Sequence, residues 1–374
     1  MKTLIFDEKI TGHHLEYLHH YYRGAVERPE DEFVFCLEEG FLEQKDLYKW
    51  DDVENVSFHF LTSSELDYAM NVSGLKQRIR ISRLIALKAK ELRADRVLLT
   101  NFMYLIPFLL FVMPKGIKLR GIVYRIYLHT KNKVSKFRFA IDTICYWLIA
   151  RSGVFETVFV LNDQKSAEIL NDKFNTRKFT FLPDPVPEID RVQLIDLRSQ
   201  FEIPVDNKVY LHFGGLAQRK GTLEILKAIN MSSDEVMKDK TFVFAGRVYN
   251  EIHDEFYQLI EEAKGKTHVL VFDTFCEYGF LYNMCYTCDA ILMPYQQNEM
   301  SSGVLGYAAV FNKPVIGPSG GLIGDLIRKY HLGYCLPSIS MESIAHALTE
   351  SVCCDSSDYA KRNDISMFIN AILD

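Results

Sequence analysis

Two doubly wound α/β domains are what this sequence predicts, and three observations lead there. Strand-like and helical segments alternate from the first residues onward, the order that a parallel sheet with crossover helices requires. Several strand-like runs, such as residues 3–6 (TLIF) and 290–294 (AILMP), are apolar throughout, as strands covered on both faces are. The chain has 374 residues, 48% of them apolar and 13% aromatic, which supplies ample core and exceeds one typical domain.

Taken in order, residues 3–6 are the first predicted strand, and Thr11-Gly12-His13-His14 turns the chain into a helix reaching about residue 26. Gly12 suits a tight turn or the close approach of a ligand. Ligands of such sheets bind beyond the carboxyl ends of the strands, so His13 and His14 are candidates for ligand contact, with plain helix capping as the alternative. Further strands are predicted at 33–37, 56–61, 96–100, 122–127 and 158–161, and His129 follows the strand at 122–127. The longest uncharged run, 97–114, contains Thr100, Asn101 and two prolines, so it reads as a buried strand and a short apolar helix, not a membrane span. Residues 179–186 end the first domain, because their prolines cannot sit in a central strand. The boundary is set at 188, and the charged stretch up to about 207 reads as a linker.

The second domain opens with residues 209–229 (VYLHFGGLAQRKGTLEILKAI): strand, loop, helix. The loop carries Gly214, Gly215, Arg219, Lys220 and Gly221. It is not a Walker loop, since the Gly-x4-Gly-Lys-Ser/Thr spacing is absent, and no Gly-x-Gly-x-x-Gly occurs. Strands follow at 241–246 and 269–275, the latter ending in Thr274 and Phe275, then at 290–294 and 313–316. Between the last two, Ser301-Ser302-Gly303 opens a helix with Val304, Leu305, Ala308 and Phe311 on one face. A helix start exposes unpaired N–H groups and the positive end of a dipole, which suits phosphate; serines that merely cap the helix are the competing reading. The tail, 356–374, is helical in pattern.

Composition narrows the chemistry. The eight cysteines include Cys285-x-x-Cys288 and Cys353-Cys354, but no second pair stands at zinc spacing, so they read as reduced, mostly buried thiols of a cytosolic chain. Met1 runs straight into a strand, with no signal peptide in view. No Asp-x-Asp element invites a divalent metal, and no nucleic-acid motif accompanies the basic residues.

The stretch from Cys288 to Gly324 resembles the nucleotide-sugar site of GT-B glycosyltransferases, in particular the large retaining family four, glycosyl transferases group 1. That family carries a Glu-x7-Glu element before a Gly-x-Pro-Val-Val strand. Glu299 matches the first acidic position and Pro314-Val315-Ile316 the strand, whereas the second acidic position holds Tyr307. Tyr can make single hydrogen bonds through its hydroxyl but cannot grip a ribose diol in the bidentate way of a carboxylate. The 214–221 loop resembles the family's phosphate loop, with Lys220 on its Lys, Gly215 where its Arg stands, and Arg219 as the replacement charge.

The resemblance implies two Rossmann-like domains facing a cleft, the tail crossing back onto the first. It implies a nucleotide-diphosphate sugar as donor, no cofactor and no metal. Lys220, Arg219, Glu299 and His129 would carry the chemistry. Gly214, Gly215, Ser301, Ser302, Gly303 and Tyr307 would hold the donor, with Thr274 and Phe275 beside its base. Gly12, His13 and His14 would face a saccharide or lipid-linked acceptor, in polysaccharide or glycolipid synthesis. A nucleotide-sugar epimerase of the same fold, or a non-catalytic sugar-nucleotide-binding or membrane-associated homologue favoured by Tyr307, are the other readings.

Although the chain is net −6, residues 115–138 hold Lys115, Lys118, Arg120, Arg125, Lys131, Lys133, Lys136 and Arg138 with no acid. Residues 75–93 add a second basic run. With aromatics interleaved, these runs predict an enzyme that lies peripherally on the inner, cytoplasmic face of an anionic membrane.

Overall fold

The computed structural model describes residues 1–8, 13–42, 45, 50–51, 53–131, 133–189 and 193–374, with the backbone alone for His13. The chain divides into two compact units. One is Met1–Pro183 together with Ser366–Asp374, and the other is Asp184–Ile365. The change of unit thus falls at Pro183, where the sequence sets it at 188.

The first unit is built on β1 (Lys2–Phe6), β2 (Glu32–Glu38), β3 (Val56–Leu61), β4 (Arg96–Leu99), β5 (Lys118–Val123), β6 (Phe155–Leu161) and β7 (Phe179–Leu182). They form a seven-stranded sheet in the order β3-β2-β1-β4-β5-β6-β7. All its strand pairs are parallel. Helices cover both faces, so the central strands are buried from end to end; β4 has no exposed residue. The helix Gly74–Glu91 shows how pattern becomes packing. Ile81, Leu84, Ile85 and Ala89 recur at three- and four-residue spacing and are buried, while Lys76 and Arg83 face out. The buried Lys88 on the same stripe is neutralised by Glu65 and, at 3.1 Å, by Glu91.

The tail helix Ile365–Leu373 docks in the first unit through one aromatic residue and one arginine cluster. Phe368 stacks on Tyr21 at 5.9 Å and tilts against Tyr17 at 5.1 Å. Gly24 makes room for it, since a Cβ there would lie 2.4 Å from Ile369 Cγ2. Arg28 Nη2 donates to Asp374 Oδ1 at 2.7 Å, and the buried Arg120 donates to the Asp374 carbonyl at 3.1 Å. The remainder of the predicted tail, including the helix Ser357–Arg362, belongs to the second unit.

That second unit holds β8 (Lys208–Phe213), β9 (Lys240–Ala245), β10 (His268–Phe272), β11 (Ala290–Leu292), β12 (Val315–Pro318) and β13 (Gly333–Leu336). The order is β10-β9-β8-β11-β12-β13, again parallel throughout. Residues 193–207 are not a free linker. Leu197 and Ile203 are buried in this unit's core, and the Leu197 N–H donates to Thr287 Oγ1 at 2.8 Å.

Several element boundaries differ from the sequence reading, and the strand predicted at 269–275 already ends at Phe272, before Thr274 and Phe275. The strand predicted at 122–127 is β5, four residues earlier, and Tyr127 to His129 lie in a 3₁₀ turn (Tyr127–Thr130). The strand predicted at 313–316 begins at Val315 instead, and Phe311, the residue that closes the preceding helix, is half-buried against the same core as Val304, Leu305 and Ala308. β13 was not anticipated. It is four residues long, too short to show a period, and it begins at Gly333, where a Cβ would lie 2.1 Å from the Val315 carbonyl oxygen. All eight cysteines are free, and burial pushes the Cys288 thiol up to about 12. Among the described residues, no helix is long and apolar enough to cross a membrane.

Candidate active site

In a doubly wound sheet the loops diverge where strand order reverses, and that crevice is where ligands bind. In the second unit the reversal lies between β8 and β11. The loops after these two strands are those that hold Gly214 to Gly221 and Glu299 to Gly303.

His212 fastens the two strands beneath that point. Its Nδ1 lies 2.9 Å from the Leu292 carbonyl of β11, and its Nε2 lies 2.9 Å from Thr222 Oγ1. Burial drives its pKa down to about 4, with the Lys220 charge adding to the effect and the Leu292 bond opposing it. The ring is therefore neutral near pH 7. Nδ1–H goes to the carbonyl, so Nε2 accepts from the Thr222 hydroxyl, which in turn accepts from the Ala217 N–H at 3.2 Å. Strand, loop and following helix (Thr222–Met231) are thereby joined through one side chain. A histidine inside an apolar strand was the sequence signal for this, and it went unread.

Above it the loop turns at two glycines. Gly214 has φ +89°, and a Cβ there would come 2.7 Å from Lys220 Nζ, so the ammonium lies directly over bare backbone. Gly221 has φ +71° and abuts the Pro294 carbonyl, where any side chain would collide with β11's exit. Lys220 Nζ sits 5.1 Å from the centre of the Tyr295 ring. The Arg219 carbonyl accepts from the Gln296 and Gln297 N–H groups at 3.0 and 3.3 Å, tying the two loops together. Arg219's side chain is exposed, and Gly215 packs against the Tyr249 ring.

Further along the second loop, Glu299 is buried, an unusual place for a carboxylate. Ser301 Oγ donates to Asp184 Oδ2 at 2.6 Å. Ser302 is the residue before the helix Gly303–Val310, and its side chain makes no capping bond. Ser302 therefore does not cap the helix through its side chain. Tyr307 packs edge-on to Phe213, with ring centres 5.3 Å apart. Thr274 and Phe275 follow β10, separated from β8 by β9, and both are exposed.

In the first unit the strand order reverses between β1 and β4. Gly12 and the His13 side chain lie outside the described residues. His14 Nδ1 is 2.7 Å from Oδ2 of the buried Asp7, and Tyr104 Oη donates to Glu8 Oε1 at 2.6 Å. Both acids follow directly on β1. His129 Nε2 lies 2.7 Å from Asp163 Oδ2. Burial pushes the Asp163 carboxyl up, but the hydrogen bonds from His129 and Ser166 outweigh it and hold the group below its ordinary value. The carboxylate beside His129 comes from the end of β6, 34 residues away, which no local spacing reveals. Among the described residues, no three His, Cys, Asp or Glu side chains gather as a metal site.

Comparison with known proteins bears on the fold and on the family of the second unit. The profile of the family described as glycosyl transferases group 1 matches residues 195–365, nearly the whole second unit. No curated protein sequence matches the chain. Among solved structures, WaaG, a glycosyltransferase involved in lipopolysaccharide biosynthesis, superposes with a TM-score of 0.68 at 14% identity, covering 100% of both chains. Anabaena Alr3699/HepE in complex with UDP gives 0.69 at 16% identity over 99% of this chain and 97% of that one. Trehalose-6-phosphate from E. coli bound with UDP-2-fluoro glucose gives 0.63 at 10% identity, over 100% and 95%. At such identities these likenesses speak for the two-sheet fold, and the family match speaks for the chemistry. Residues 195–365 thus carry the signature of the glycosyl transferases group 1 family, and the chain is a glycosyltransferase with the two-sheet GT-B fold.

Proposed function

We propose that the chain moves a sugar from a nucleotide-diphosphate donor to a saccharide or lipid-linked acceptor, in cell-surface polysaccharide or glycolipid synthesis. The observation that carries this is the junction of the β8 and β11 loops at the Arg219 carbonyl. It brings an ammonium, a second basic residue and a helix start to one strand-order reversal. Breaking the sugar–phosphate bond adds a negative charge to a diphosphate that already carries two. Lys220 and the N–H groups of Gly303 and its neighbours receive that charge as it grows, with Arg219 available from solvent. Catalysis comes from donors fixed beforehand, and His212 and the two glycines do the fixing. No cofactor takes part in this scheme.

Glu299 and the His129–Asp163 pair are assigned to the sugar. The Asp163 carboxylate holds the imidazole in one orientation, which suits a single hydrogen bond to a hydroxyl. Retention of configuration is the stereochemical outcome we assign; the leaving phosphate oxygen then takes the acceptor proton and no enzymic base is needed. Tyr307 replaces a carboxylate at the ribose with one hydroxyl. UDP in the HepE complex makes a uridine donor the first to try.

The test is a thermal-shift screen of uridine- and guanosine-diphosphate sugars, because a ligand that binds only the folded state stabilises it by RT ln(1 + [L]/Kd). One donor should raise the melting temperature and be consumed with release of nucleoside diphosphate when an acceptor is added. If none shifts the melting curve at millimolar concentration, the proposal fails.

A further inference from the structure

The first unit contains a cavity of 310 Å³ apart from the residues assigned above, between the helix Gly74–Glu91, the 3₁₀ turn Met103–Leu105 and the helix Lys136–Arg151. Its lining is of two kinds. Arg78, Arg125 and Arg138 are three basic residues in it, and Met103, Ile106 and Ile141 bring apolar surface. Tyr127 and Tyr146 form an aromatic wall with ring centres 4.8 Å apart. The Tyr146 hydroxyl donates to the Arg125 carbonyl at 3.2 Å and fixes the backbone that carries that arginine.

Charge accounting decides the ligand. The one acid in the lining, Asp142, is taken by Arg138 at 3.2 Å. Among the described residues neither Arg78 nor Arg125 makes an ion pair, so two arginines line the cavity without a carboxylate partner. We infer that this cavity binds the phosphate head and first hydrocarbon units of an anionic amphiphile, and that the acceptor is of this class. The inference rests on the glycosyl-transfer reading for the word acceptor, but the binding site stands on its own geometry.

Planar guanidiniums match phosphate oxygens by paired N–H donors, and two of them match a group carrying up to two negative charges, a phosphomonoester or a diphosphate. The apolar half of the lining has no use for free phosphate. The volume is at the low end of the about 300–1,000 Å³ of small-molecule sites, so it holds a head group while the rest of the chain lies outside. Phe137 and Ile144 of the same helix are 76% and 55% exposed, giving apolar surface on the element that forms the cavity. The two basic runs, distant in sequence, meet here: Arg78 comes from one and Arg125 and Arg138 from the other.

Calorimetry on the full chain with farnesyl phosphate, farnesol and inorganic phosphate, each in monomeric solution, tests the inference. Farnesyl phosphate should bind, and farnesol and inorganic phosphate should each bind at least about tenfold more weakly. Arg78→Ala with Arg125→Ala should weaken farnesyl phosphate by about 100-fold, about tenfold for each charged contact. Ile141→Trp, which fills the cavity without touching its charge, should abolish binding. Inorganic phosphate or farnesol binding as tightly as farnesyl phosphate overturns the inference, as does no binding of farnesyl phosphate or equal binding by the double variant. Binding of uridine or guanosine diphosphate is measured alongside and should be unchanged in every variant. Failure of the wild type to bind either nucleotide counts against the glycosyl-transfer reading alone.

Discussion

Lys220 gathers more of the local geometry than any other candidate residue. Its ammonium lies over the backbone of Gly214 and near the Tyr295 ring, while the next residue adopts a left-handed conformation that only glycine accepts without strain. A cation so placed has more to do with a ligand than with folding, since it makes no ion pair among the described residues. Lys220→Ala should lower turnover about 100-fold at saturating donor, as loss of one preorganised charge-stabilising donor does. Its melting temperature should stay at the wild-type value. Unaltered turnover would remove Lys220 from the chemistry. The residue was legible in the sequence because a Gly-Gly and a Lys-Gly flank a strand-to-helix turn. Its neighbours in space were not: Tyr295 is far along the chain, as Asp163 is from His129, and a sequence lists only neighbours along the chain.

At the scale of elements, β8, β11 and the helix Thr222–Met231 are joined through the neutral side chain of His212. This makes the second unit sensitive to acid in a defined window. The folded pKa, about 4, lies below the ordinary 6.5, so between these values the unfolded chain binds a proton that the folded one does not. Stability from this residue is complete above pH 6.5 and falls as pH drops toward 4, by up to about 3 kcal/mol. His212→Gln has no group titrating there. Melting curves taken from pH 7 to pH 4.5 should therefore converge, the wild type losing its advantage over the variant on acidification. A gap that stays constant with pH would show that His212 does not titrate on unfolding.

For the whole molecule, the net charge of −6 conceals a basic region that the fold redistributes. Of the eight basic residues in 115–138, Arg120 is buried against Glu156 at 2.9 Å and reaches the tail. Lys115 and Lys118 stand at the entrance of β5 and Arg125 at its exit, ends that a six-residue strand holds about 20 Å apart. What remains together after β5 is Arg125, Lys131, Lys133, Lys136 and Arg138, followed by the exposed Phe137, Ile144 and Trp147. Anionic head groups attract such residues by about 1 kcal/mol each near the surface, and salt weakens the attraction. Sedimentation with vesicles should show binding that requires anionic lipid, declines with salt, and weakens when Lys131, Lys133 and Lys136 become Glu. Equal partitioning onto neutral and anionic vesicles, or onto neither, would leave this surface simply solvated.

The alternation of apolar runs and amphipathic helices determined by itself that the chain forms parallel sheets wound on both sides, because a strand covered on both faces must be apolar throughout. The Gly-Gly turn after residue 213 and the Ser-Ser-Gly helix start after residue 300 were legible as local turns, and the family resemblance made them the candidate site. Short strands and exact edges escaped, as β13 and the displaced β5 show, because four residues carry no readable period. Only the tertiary structure decided which side chains meet. His212 with Leu292, His129 with Asp163, Ser301 with Asp184, and the three arginines around one cavity are pairings set by strand order and crossover, and strand order is not written in any segment.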